Sequence, residues 1–122
     1  MTRVLIVEDD KRIAKALDYR LSLDGYVVLH AYDAVGAMTM LREWQPDLVL
    51  FDISLPGGTG FDVISRAKKA HGKVPPFFVI TAHKDLGMRK KAFAHGAIEY
   101  FEKPFDGGEL QSAIYRWLTN QC

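Results

Sequence analysis

Three acids, Glu8, Asp9 and Asp10, follow directly on the apolar run Val4-Leu5-Ile6-Val7. Asp52 follows Leu48-Val49-Leu50-Phe51, Thr81 closes Phe77-Phe78-Val79-Ile80, and Lys103 comes just after Tyr100-Phe101. Short runs rich in β-branched and aromatic side chains read as strands, so carboxylates, a hydroxyl and an ammonium all stand at strand carboxyl ends. In open parallel sheets the binding crevice lies outside those ends. Carboxylates gathered there repel one another, and keeping them ionised in a partly dry crevice is costly unless a cation joins them. Oxygen-only ligands without histidine or thiol suit a hard ion, and a few carboxylates completed by water suit magnesium better than calcium. A carboxylate nucleophile, a metal that neutralises phosphate oxygens and fixed donors for the remaining oxygens are what phosphoryl transfer requires. Asp52, at the end of the central strand, is expected to be the nucleophile, with Glu8 and Asp9 holding Mg2+. Asp10 is expected mainly to cap the next helix. Thr81 would donate to one phosphoryl oxygen and Lys103 would pair with another. The loop Ser54-Leu55-Pro56-Gly57-Gly58-Thr59-Gly60 lets backbone carbonyls approach the same ion.

The elements that must position these groups alternate along the chain. Strand-like runs cover Val4–Val7, Tyr26–Ala31, Leu48–Phe51, Phe77–Thr81 and Tyr100–Phe101. The second is the least apolar and suits a sheet edge. Between the first two, Ile13, Leu17 and Leu21 form one helix stripe that Gly25 stops. Asp33 reads as the N-cap of a second helix presenting Ala34, Ala37, Leu41 and Trp44, which Pro46 prevents from continuing. A third helix carries Phe61, Ile64 and Ala67. A fourth, roughly Asp85 to Ala94, is the weakest, with Gly87 inside it and Leu86 and Phe93 as its anchors. A fifth starts at Asp106, set to form a capping box with Glu109, and presents Leu110, Ala113, Ile114, Trp117 and Leu118. Five βα units without a repeat or linker predict an α/β fold in one domain, residues 1–122.

Composition narrows the functions. Sixteen basic and fifteen acidic side chains leave a net charge of +1, so there is no bulk electrostatic drive toward nucleic acid. The single cysteine, Cys122, excludes a disulfide framework. No apolar run is long enough for a signal peptide or a membrane span, and a cytoplasmic location is expected. His30, His71, His83 and His95 share no metal spacing. Lys68-Lys69 and Arg89-Lys90-Lys91 read as solvated faces. A phosphohydrolase forming an aspartyl-phosphate needs an acid two residues beyond its nucleophile, where this chain has Ser54. A flavin or nucleotide module needs a Gly- or hydroxyl-rich loop where Glu8-Asp9-Asp10 stands. An interaction module that never binds phosphate leaves the acid set without a role.

Taken together and in order, these residues resemble the receiver domains of two-component response regulators. The matching pieces are Val-Leu-Ile-Val-Glu8-Asp9-Asp10, Asp52 with Leu55-Pro56 and Gly60, Thr81-Ala82, and Lys103-Pro104-Phe105 preceded by Tyr100. The resemblance implies a flavodoxin-like, doubly wound sheet of five parallel strands in the order 2-1-3-4-5, with helices on both faces. It implies that Asp52 receives its phosphoryl group from a sensor histidine kinase, and that the domain is a switch and not a turnover enzyme. Ser54 would lend its backbone carbonyl to the metal, and Tyr100 would turn inward as Thr81 moves toward the phosphate. The Lys103–Pro104 bond would be cis. An output partner would read the face made by the fourth helix, fifth strand and fifth helix; self-association is left open, as are the kinase and the output. Neither nucleic acid nor membrane is an expected partner. Short Ser54 would leave the path of a hydrolytic water open, and His83 would shield it.

Overall fold

The computed structural model describes residues 1–55, 58–82 and 86–120. Pro56, His83, Asp85 and Cys122, singled out above, lie outside them. The main sheet has five parallel strands: β1 (Arg3–Val7), β2 (Val27–Ala31), β3 (Leu48–Asp52), β4 (Phe77–Thr81) and β5 (Glu99–Glu102). Its order is β2-β1-β3-β4-β5. The least apolar strand, β2, does lie at an edge. Helices α1 (Lys11–Leu23), α2 (Ala34–Glu43), α3 (Gly60–His71), α4 (Leu86–Ala94) and α5 (Gly107–Thr119) connect and follow them. This is the flavodoxin-like arrangement expected. A two-rung antiparallel ladder, Ser54–Leu55 on Gly58–Thr59, lies between β3 and α3.

Alternation along the strands divides the interior into two layers. Val4, Ile6, Leu48, Leu50, Phe78 and Ile80 pack with Ala14, Leu17 and Leu21 of α1 and with Leu110, Ala113 and Ile114 of α5. Leu5, Val7, Val49, Phe51, Phe77 and Val79 pack with α2 and α3 on the other face. Successive strand side chains point to opposite faces, which is why β1, β3 and β4 are apolar at both parities.

Local chemistry sets the helix ends. The Asp10 carboxylate accepts from the Arg12 and Ile13 amides at the start of α1. Asp33 accepts from Gly36 at α2, and Asp106 from Gly108 and Glu109 at α5. Gly25, at φ +90°, ends α1 in a conformation that suits glycine.

The expected anchors of α4 are not its anchors. Leu86 is 73% exposed and Phe93 38%, and the one fully buried side chain is Ala92. Met88, one turn earlier, packs half-buried against the core. The inward stripe is therefore 88–92, and the larger hydrophobes fall outside it in helical phase.

Gly60 begins α3 so close to the end of β3 that a Cβ there would lie 2.8 Å from the Ile53 Cα. That neighbour is backbone and has no rotamer to escape into. Gly60→Ala is therefore expected to cost about 1–3 kcal/mol, read as a lower urea midpoint. Gly107→Ala meets only the movable end of Arg20 and should cost clearly less; equal losses would contradict the contrast.

Candidate functional site

Strand register builds the site. Val7 is level with Phe51, which places Glu8 beside Asp52. Asp52 is level with Ile80, one residue before Thr81, and Thr81 is level with Glu102, one residue before Lys103. Parity then sorts the groups. Glu8, Asp52 and Lys103 continue the series Val4-Ile6, Leu48-Leu50 and Phe101, which faces α1 and α5. Thr81 continues Phe77-Val79 on the opposite face, and Tyr100 is level with Val79. The rim therefore holds two subsets of groups, one on each side of the sheet.

On the first side the groups touch. The Lys103 ammonium donates to Asp52 Oδ2 at 2.9 Å and forms an ion pair with Glu8 Oε1. Asp52 Oδ1 accepts the Ser54 amide at 2.9 Å, and Glu8 Oε2 accepts the Asp10 amide at 3.1 Å. Glu8 is 0% exposed and Asp52 3%. Burial pushes the Glu8 carboxyl from 4.5 up to about 7; Lys103 pulls it back, and Asp52 pushes the same way as burial. Burial also drives the Lys103 ammonium down, but Asp52 and Glu8 more than offset this and leave it above its ordinary value. The Lys103–Pro104 peptide bond is cis.

A cation fits this pocket. Glu8, Asp9 and Asp52 each bring a carboxylate oxygen within 4.8 Å of the others. Glu8 Oε1 touches Lys103 as an ion pair yet receives no properly directed hydrogen bond, and buried acceptors ordinarily have one. Three carboxylates against one ammonium leave a surplus of negative charge, and all the side-chain ligands are oxygen, the donor set of a hard ion.

Thr81 is fully buried one step from this knot, and Tyr100 is 8% exposed beneath the Arg89 guanidinium, 5.6 Å from its ring centre. Ser54 carries an exposed side chain, and its amide is what meets the acid. That amide is a contact the sequence reading missed, because backbone donors carry no residue signature.

With this geometry in place, the match to known proteins is specific. The model of the response regulator receiver domain matches residues 4–115. The chain belongs to that family. Among solved structures, this receiver is similar to the non-phosphorylated HemR receiver domain from Leptospira biflexa, at 34% identity over 95% of this chain and 93% of that one, TM-score 0.86. It is also similar to a CheY-like receiver domain protein from Methanospirillum hungatei JF-1, at 28% identity over 99% and 96% of the two chains, TM-score 0.90. A third neighbour, described as a putative response regulator, comes from Chloroflexus aurantiacus J-10-fl, at 29% identity over 97% and 98%, TM-score 0.86. Among the described residues of the receiver, no helix is long and apolar enough to cross a membrane.

The raised Glu8 pKa has a stability consequence. The folded chain keeps a proton that the unfolded chain releases near 4.5, so this contribution is fully present below that pH. It is lost as pH rises through about 7. The loss amounts to about 3 kcal/mol for a shift of this size. Urea unfolding in the presence of a chelator should show it between pH 4.5 and 8, and Glu8→Gln should flatten that part of the profile. An unchanged slope in Glu8→Gln would assign the dependence to another group.

Proposed function

We propose that this receiver takes a phosphoryl group onto Asp52 from the phosphohistidine of a sensor histidine kinase, in a magnesium-dependent step. The observation that carries the reading is the position of Asp52. It is a nearly buried carboxylate whose two oxygens are already oriented, one by the Ser54 amide and one by Lys103. Orientation of this kind removes much of the entropic cost of attack. An Asp52 oxygen forms a bond to phosphorus as the phosphorus–nitrogen bond of the donor breaks, and the released imidazole nitrogen takes up a proton from solvent. Lys103 then moves its hydrogen bond to a phosphoryl oxygen, and the Thr81 hydroxyl donates to another. Glu8, Asp9 and Asp52 would hold Mg2+ with the Ser54 backbone carbonyl, and the bound ion supplies charge neutralisation for the incoming phosphoryl oxygens.

The chemical event becomes a signal through the opposite face of the sheet. Thr81 moving toward the phosphoryl group vacates space beside Tyr100, and Tyr100 packs under α4. An output partner reads the α4–β5–α5 face. The domain, residues 1–122, acts in the cytoplasm as a switch and not as a turnover enzyme, without direct contact to nucleic acid or membrane.

Incubation with a small phosphoramidate donor and Mg2+ should add one phosphoryl group by mass, abolished by a chelator and by Asp52→Asn. Equal labelling of Asp52→Asn would overturn the assignment. Asp9→Asn should weaken magnesium binding at least about tenfold in a calorimetric titration, since even groups one shell removed from a metal commonly cost that much. Asp10→Asn keeps a capping side chain and should change affinity little. A larger loss for Asp10→Asn would reverse the two roles.

A further inference from the structure

Helix α4 buries a single residue, yet it lies against the core beside the site. Beside the inward Met88–Ala92 stripe, a set of charge and ring contacts attaches it. The His95 imidazole, directly after the last helical residue, stacks on Phe61 with centroids 4.6 Å apart and planes at 28°. The Lys91 ammonium lies 5.1 Å from the centre of the same ring. His95 is itself fixed: its amide and its ring Nδ1 both meet the Lys91 carbonyl, at 3.1 and 2.9 Å. Facing a carbonyl, Nδ1 must be the donor.

Phe61 is 5% exposed and stands next to Gly60. The Gly60 amide donates to the Ile53 carbonyl at 2.8 Å, and the tight approach at Gly60 leaves no slack between α3 and the backbone that follows Asp52. The Phe61 ring is therefore rigidly joined to the acceptor segment on one side and clamped by α4 on the other.

We propose that His95 and Lys91 are positioning residues that make α4 ride on the acceptor segment through Phe61. This gives the receiver a second mechanical link to α4, on the α3 side, in addition to the contact of Arg89 with Tyr100 on the β5 side. The inference deepens the function proposed above and relies on it for its consequence, that filling the Asp52 site displaces α4 from two directions. The clamp itself uses none of the residues that would hold the metal. Because coupling between two positions is reciprocal, loosening α4 must also loosen the acceptor segment.

Residue-resolved hydrogen exchange on the whole chain, without metal or donor, tests this. His95→Ala should quicken exchange of the α4 amides and of the Gly60 amide by roughly fivefold, the scale of one lost ring contact. Amides of β1 should not change. His95→Phe keeps a ring on Phe61 and should restore both sets, and Lys91→Met should act in the same direction as His95→Ala. Faster exchange in α4 with Gly60 unchanged would overturn the coupling. So would His95→Phe behaving like His95→Ala, because the ring would then not be the link. Every arm omits donor and metal, so failure of Asp52 to accept a phosphoryl group would overturn the proposed function and leave this result readable.

Discussion

A single ammonium between two buried carboxylates is the interaction around which this receiver is organised. Glu8 and Asp52 end neighbouring strands on the same face, both shielded from water, and their repulsion would be severe if Lys103 did not reach across from β5. The arrangement requires β1, β3 and β5 to end level with one another although β4 separates the last two. It also leaves charge unspent. Adding Asp9 gives three acids to one base, an imbalance that a divalent cation would correct and that a neutral ligand would not.

Sheet parity divides the rim groups between the two layers. Groups that contact Asp52 lie on the side of α1 and α5, while Thr81 and Tyr100 belong to the side of α3 and α4. Strands buried on both faces let one strand end address both layers, since adjacent residues point opposite ways.

The helix beside Tyr100 is the least deeply rooted. Helix α4 adds cation–ring contacts to a small buried stripe: Arg89 on Phe93 and Tyr100, Lys91 on Phe61. Contacts of this kind at the surface are worth about 0.5–1 kcal/mol each, less than a buried leucine. A helix held this way can change position for a small free energy.

Much of this was determined by the sequence alone. Runs such as Leu48–Phe51 and Phe77–Thr81 read as strands, and that alone places the acids, hydroxyl and lysine that follow them at strand carboxyl ends. Asp10, Asp33 and Asp106 cap helices where residue type and position require it. What the chain could not state is which of these groups touch. That Lys103 bonds Asp52 and Glu8 while Thr81 belongs to the other layer follows from register and parity across strands. Leu86 and Phe93 look like anchors because hydrophobicity is a property of residues, but burial depends on the phase of α4 against its neighbours. The Ser54 amide and the His95–Phe61 stack had no local signal at all. A backbone donor has no residue type, and a contact across 34 positions exists only once α3 and α4 lie side by side.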